Sequence, residues 1–192
     1  MNCEKLLKQA GYTCLLQKSI DRLTVQEILK EADVSKQTFY RYYSDKYELG
    51  NAIYHDLFVT DIYDRDDVQT SCDWDALYLA RFGVFRKHLD FLRHVYDSRA
   101  MECAVDYEIR QTLAFDRRFL AGKGVDVEDP LIRFALEAKD VSGTFALKKW
   151  VLKGMPVSDR DMVRWFHAVI PAILVPWYSE AENRDSASGN RK

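Results

Sequence analysis

Lys36, Gln37, Thr38 and Arg41 carry the chemistry this sequence offers most clearly, the reading of base-pair edges. Lysine can donate to guanine O6 and N7, glutamine can pair with adenine through both ends of its amide, and a threonine methyl can touch the thymine methyl in the major groove. Val34 and Phe39 are the apolar anchors of the same segment, so the polar face is left free to point outward. Ser35 stands where a hydroxyl caps a helix running through Lys36, Gln37, Thr38, Phe39, Tyr40 and Arg41. Thr24, Tyr40, Tyr42 and Lys46 add hydroxyls and charge at the flanks, where they suit phosphate oxygens and would set the register of that helix.

Catalytic and metal chemistry find no comparable pattern. The histidines His55, His88, His94 and His167 lack the i, i+4 spacing of a metal pair, and the cysteines Cys3, Cys14, Cys72 and Cys103 show no CxxC spacing. Scattered in this way, the cysteines read as free thiols of a reducing cytoplasm. Gly122 and Gly124 are too isolated to form a phosphate loop, and Cys103, nine residues after His94, has no base that the sequence can fix beside it. The expectation is a protein with no metal, no cofactor and no enzymatic activity.

The reading segment needs elements to hold it. Thr24 and Glu27 satisfy a capping box, so a helix should start at Val25, with Val25, Ile28, Leu29 and Ala32 facing a core. Asp33 follows, where the turn needs a residue tolerant of positive φ. An earlier helix should run from about Cys3 to Lys18, placing Leu6, Leu7, Ala10, Cys14 and Leu15 on the other two, with Gly11 as its soft spot. Two short helices, a tight turn and polar residues opening the second make a helix-turn-helix layout. Capped amphipathic helices with a charged face also occur in ordinary bundles. The crowding of Tyr40, Tyr42 and Tyr43 at a solvent-facing helix end favours a covered surface, with Tyr43 as the one that belongs to the core.

Over Thr24 to Leu49 the pattern T-V-x-x-I-x-x-x-A-x-V-S-x-x-T-F-Y-x-Y-Y-x-D-K-x-x-L closely resembles the N-terminal DNA-binding domain of the TetR/AcrR family of bacterial transcriptional regulators, a resemblance that spans about Met1 to Ile53. It implies that Ser35, Lys36, Gln37, Thr38, Tyr40, Arg41 and Tyr42 lie on or beside DNA, with Thr24 and Lys46 holding the backbone. Two positions depart from the family pattern: Asp33 where Gly is frequent, and Ser19 where a Gly commonly ends the first helix. Both residues are acceptable at turns. The strings TFYRYYSDKYEL and FALKKWVLKGM also resemble the branch that includes regulators of dihydroxyacetone kinase operons, although an effector does not carry over from such short matches.

Downstream the pattern stays helical without strand-like alternation, so the fold class is all-α: an N-terminal three-helix domain over residues 1–48, a helical ligand-binding and dimerisation domain over 49–178, and a disordered polar tail over 179–192. Ser44 or Asp45 should cap a linking helix carrying Leu49, Ile53, Tyr54, Leu57 and Phe58, followed by an acidic exposed loop from Asp61 to Asp67. A helical run from Trp74 to Arg99 should break near His88, another should span about Glu102 to Ala121, and Asp129-Pro130 should start a third that Gly154 and Pro156 end. Ser158 with Asp161 starts the last, a long apolar stripe from Met162 to Trp177 that Pro171 should kink.

Tyr78, Phe82, Phe85, Tyr96, Tyr107, Phe115 and Phe134 could line a ligand cavity between these helices or simply fill a core. Ala135, Ser142 and Ala146 on one helix, with Phe166, Ile170, Ile173 and Leu174 on the next, form a candidate self-association surface, since helix-turn-helix proteins commonly span two half-sites as dimers. The family resemblance implies the same four-helix interface and a small molecule sensed in the C-terminal half.

With 47% hydrophobic residues among 192, the chain can bury a real core. No apolar run approaches the ~18 residues of a membrane span, and no basic-then-apolar leader opens the chain. Its net charge is −2, with eight Lys/Arg against seven Asp/Glu in residues 1–50, so DNA binding must rest on local placement rather than on a broad positive field. The functional expectation is a cytoplasmic, homodimeric transcriptional repressor of a palindromic double-stranded DNA operator, released by an unidentified small-molecule effector. The alternatives are an activator, a regulator controlled by a protein co-regulator, and a helical adaptor that does not bind DNA.

Overall fold

A computed structural model of the chain describes residues 2–60, 73–100 and 103–178. The acidic stretch Asp61 to Asp67, Cys72 and the tail 179–192 lie outside the described residues. The fold is all-α: among the described residues there are ten helices and no strand, and no helix is long and apolar enough to cross a membrane. They are α1 (Cys3–Leu15), α2 (Val25–Ala32), α3 (Lys36–Tyr42), α4 (Lys46–Phe58), α5 (Trp74–Lys87), α6 (Leu89–Tyr96), α7 (Ala104–Gly122), α8 (Pro130–Leu152), α9 (Asp159–Ala168) and α10 (Val175–Tyr178).

Local chemistry sets most of these boundaries. Asn2, Asp45, Asp73, Asp129 and Ser158 each offer a side-chain oxygen to amides of the first turn of the helix that follows, offsetting donors that a helix cannot satisfy itself. Where Ser44 or Asp45 could have capped α4, Asp45 does so; Ser44 donates instead to Glu48 Oε2 from its amide (2.6 Å) and its hydroxyl (2.7 Å). His88 sits at the break between α5 and α6. Gly124, at φ +78°, ends α7 while the Val125 amide reaches back to the Leu120 carbonyl, a bond pattern that suits a residue without Cβ.

Two boundaries differ from the sequence expectation. Helix α1 stops at Leu15 rather than Lys18, because the chain turns to bury Ile20 and to set its amide on the His94 carbonyl at 3.1 Å. The last long helix is broken rather than kinked: α9 ends at Ala168 and helix resumes only for the single turn of α10. Pro171 lacks an amide and disfavours helical geometry in the residue before it, so here it terminates the helix.

Leu7, Ala10, Leu15, Ile28, Phe39, Leu49 and Ile53 form the core of the N-terminal helices. Gly11 lets α1 lie directly on α4, since a Cβ there would fall 2.9 Å from Leu49 Cδ2 and 3.0 Å from Ile53 Cδ1. A seam joins α1 to α6: the Tyr12 hydroxyl lies 2.8 Å from His88 Nδ1, and His94 Nδ1 lies 2.7 Å from the Leu15 carbonyl. Burial, then the charge of Lys87, lowers the His88 pKa, which favours the neutral ring as acceptor of the Tyr12 proton.

The far end of α4 enters the body of the molecule. Tyr54 and Phe58 are fully buried among Phe85, Phe91 and Tyr96. The Tyr54 hydroxyl donates to Glu108 Oε2 at 2.5 Å and lies 2.9 Å from the Tyr96 hydroxyl. Glu108 on α7 is wholly buried, and Arg81 on α5 pairs with its other oxygen. Removing one member of such a pair leaves a charge stranded in a medium that cannot solvate it. Arg81→Met should therefore lower the unfolding free energy by about 3–5 kcal/mol, while Arg81→Met with Glu108→Leu should recover most of the loss in urea unfolding. Equal losses in both would remove the pair from this role.

Candidate nucleic-acid interface

The Thr24 hydroxyl accepts from the Glu27 amide at 3.3 Å, and Glu27 Oε2 accepts from the Thr24 amide and hydroxyl at 2.9 Å each, closing the capping box of α2. Lys18 Nζ, 2.5 Å from Glu27 Oε1, and the Thr24 donors hold the Glu27 carboxyl down to about 2. Asp33 takes the left-handed conformation, φ 49° and ψ 49°, and turns the chain into Ser35. Ser35 Oγ accepts from the Thr38 amide at 3.1 Å and lies 2.9 Å from Thr38 Oγ1.

Helix α3 is pinned from beneath. Phe39 is wholly buried and its ring meets that of Tyr43, itself 5% exposed. The other side stays open: Ser35, Lys36, Gln37, Tyr40, Arg41 and Tyr42 are exposed and Thr38 is half-buried. Gln37, Thr38, Tyr40 and Arg41 line one shallow concavity. The Arg41 guanidinium lies 5.0 Å from the Tyr42 ring centre and the Lys36 ammonium 5.8 Å from that of Tyr40, so both cations rest on aromatic faces.

Lys46 is placed differently from its neighbours. Its ammonium donates to the carbonyls of Asp21 (2.9 Å) and Leu23 (2.8 Å), tying α4 to the loop that ends at the Thr24 cap. Two of its three protons are thereby spent on the protein's own backbone. Asp21, in the same loop, accepts from the Ser98 hydroxyl at 2.6 Å, the Arg99 amide at 3.2 Å and the Tyr47 hydroxyl at 3.2 Å; these bonds, Ser98 foremost, lower its pKa. Contacts spanning 23 to 78 residues leave no mark in local spacing, so neither Lys46 as a clamp nor Asp21 as a hub was legible in the sequence.

The C-terminal candidates divide. A cavity of about 50 Å³ lies between α5, α7, α8 and α9, with Trp74, Tyr78, Arg81, Phe115, Asp116, Lys139, Asp140 and Phe166 among its lining residues. Of the seven aromatics expected around a pocket, Tyr78 and Phe115 line it. Phe82, Phe85 and Tyr96 are fully buried within the aromatic core. Tyr107 faces a different cleft, its hydroxyl 2.7 Å from His55 Nδ1, and Phe134 is 69% exposed. Asp116, Lys139 and Asp140 were missed. The sequence signal for them was Asp140 itself, which interrupts the inward stripe Ile132, Leu136, Leu147 and Val151 of α8.

Of the seven residues expected on a self-association surface, Ala135 and Leu174 are turned into the protomer, 5% and 0% exposed, because the inward stripe of α8 and the turn after Pro171 need them as core. Ser142, Ala146 and Ile173 are exposed, and Phe166 and Ile170 half-buried. Around them α8 and α9 leave Leu131, Phe134, Val141, Phe145, Trp165 and Val169 open to solvent.

Residues 7–53 match the model of a family described as bacterial regulatory proteins, tetR family. The dihydroxyacetone kinase operon activator DhaS shares the fold at a TM-score of 0.60 and 15% identity, over 88% of this chain and 94% of that one. A regulatory protein TetR from Rhodobacter sphaeroides aligns at a TM-score of 0.49 and 17% identity, over 88% and 97%. No curated protein matches the chain. Substitutions at Asp33 check the turn geometry: Asp33→Gly should melt no lower than the parent, whereas Asp33→Val should lose about 1–2 kcal/mol, because a β-branched residue resists the left-handed region.

Proposed function

With residues 7–53 as a DNA-binding domain of the tetR family of bacterial regulatory proteins, we propose that this chain is a sequence-specific, cytoplasmic transcriptional repressor that binds a palindromic operator as a homodimer. Residues 1–48 are the reader in this reading and residues 49–178 the regulatory and dimerisation unit. One observation carries it: α3 is capped at Ser35 and pinned by Phe39 while Lys36, Gln37, Tyr40 and Arg41 stay open on its outer side. Lys36, Gln37, Thr38 and Arg41 face base edges in the major groove; Thr24, Ser35, Tyr40, Tyr42 and Lys46 stand toward the phosphates. The work is binding rather than catalysis.

The dimer face is the open apolar side of α8 and α9, where Phe134 (69%), Trp165 (53%) and Val169 (66%) expose more apolar surface than a monomer usually leaves to water. Two copies related by a two-fold axis would cover it and place two α3 helices about one turn of DNA apart. An effector bound in the regulatory unit releases DNA by preferring a protomer arrangement whose α3 helices are wrongly spaced. The solved structure of similar fold is named as an operon activator, so the sign of regulation here is to be settled by transcription from the operator in vitro.

Gln37→Ala should relax preference at one base position by about 1–3 kcal/mol. Arg41→Ala should relax preference at a second base position by a similar amount, at unchanged melting temperature. Lys46→Ala should weaken binding and also lower the melting temperature, because the carbonyl clamp goes with the charge; operator titrations at several salt concentrations, with melting curves, separate the three. In sedimentation the parent should run as a dimer at micromolar concentration and Trp165→Glu as a monomer with weakened operator binding. A monomeric parent would sink the two-half-site reading.

A further inference from the structure

The cavity between α5, α7, α8 and α9 joins mostly apolar walls to a cluster of buried charged side chains that the DNA-reading face does not use. Its volume of about 50 Å³ is room for roughly three or four waters, or a ligand of about four or five non-hydrogen atoms. Trp74, Tyr78 and Phe115 wall it, and Asp116 and Asp140, only 2% and 4% exposed, supply carboxyl groups.

With both acids ionised the charges there would not balance. The Lys139 ammonium reaches both carboxylates, 2.7 Å from Asp140 Oδ1 and in contact with Asp116, so two acids share one internal cation. Arg81, on the same wall, is paired with Glu108. Asp140 Oδ2 is buried without a donor of its own, beside the Asp116 carboxyl. An entering anion would meet two acids and find Lys139 already engaged. A cation carrying N–H donors could replace the proton that otherwise balances the cluster and donate to the carboxylate so freed, between aromatic faces that attract positive charge.

We propose that this cavity binds a small organic cation, a primary alkylammonium ion of about four or five non-hydrogen atoms, through Asp140 and Asp116. As the effector class of the regulator, this rests on the reading of residues 49–178 as the regulatory unit; as a binding site it stands apart from DNA. In the empty site a proton takes the cation's place. Burial, then the charge of Asp116, pushes the Asp140 carboxyl up to about 8 against the opposing pull of Lys139. The other groups turned toward this cluster are Tyr78 and Arg81 from α5 and Tyr178 from α10, with His167 of α9 behind Tyr78 and held by Asp75. A cation must displace the proton on Asp140, so its affinity rises with pH up to about 8 and then levels, while an alkylammonium itself stays charged to about 10.

The test is calorimetric titration of the full-length protein with n-propylammonium chloride, with propan-1-ol and sodium propanoate as uncharged and anionic matches of similar size. Millimolar or tighter binding of the amine alone, strengthening by roughly tenfold per unit from pH 6 to 8, is the expected result. Asp140→Asn should abolish both binding and its pH dependence; should that variant misfold by circular dichroism, the pH series on the parent decides alone. No amine binding, equal binding of the alcohol or propanoate, or an affinity independent of pH overturns the proposal. Amine binding that leaves operator affinity unchanged upholds the site and removes its effector role. Failure of the protein to bind DNA at all would overturn the regulator reading while the calorimetric test of the site still stands.

Discussion

A carboxylate with no exposed surface can persist only if something neutralises it, and Glu108 is neutralised from two directions. Arg81 arrives from α5 and the Tyr54 hydroxyl from α4, so a single buried acid fixes where three helices meet. Because α4 begins at the reading domain and ends here, the same constraint decides how that domain is mounted on the body. Around it Phe58, Phe85, Phe91 and Tyr96 exclude water, which raises both the strength of the pairing and the penalty for breaking it.

What could be read from the sequence was whatever the chain decides within a few residues. The Thr24–Glu27 box, the Asp33 turn and the Ser35 cap are contacts across three to five positions, and the family pattern lies on the same stretch. The core role of Tyr43 was legible too, since Phe39 and Tyr43 are one helical turn apart. The end of α1 was not, because Ile20 and the His94 carbonyl that stop it are far apart in sequence. Aromatic residues marked the C-terminal half as well packed but not which of them faced a cavity: Phe82 and Phe134 look alike as letters, yet one is fully buried and the other 69% exposed. Small residues likewise could not show on which side of α8 they lay, and Ala135 went inward while Ala146 stayed out.

The reading domain makes a small positive excess serve by fixing where each cation goes. Lys18 is held on Glu27, Lys8 on Glu4 and Asp56, and Lys46 on two carbonyls, which organise the protein itself. Lys36, at the start of α3, and Arg41, in its last turn, rest on tyrosine rings, Arg41 also donating to the Tyr42 hydroxyl at 3.4 Å. With seven residues, α3 is about 10 Å long, comparable to the roughly 12 Å width of a major groove. So short a rod has no stiffness of its own to contribute, and its aim comes from Phe39 and from α2.

The Asp21 hub, the Tyr12–His88 and His94–Leu15 seam and the Tyr54–Glu108 contact bolt the N-terminal helices to the body, the first two along α6 and the last on α7. An object fastened along two supports moves with them when the supports move against each other. Displacing α6 relative to α7 would therefore tilt the N-terminal helices, and α3 would be carried with them. Shear inside the body is thereby passed to the exposed side of α3.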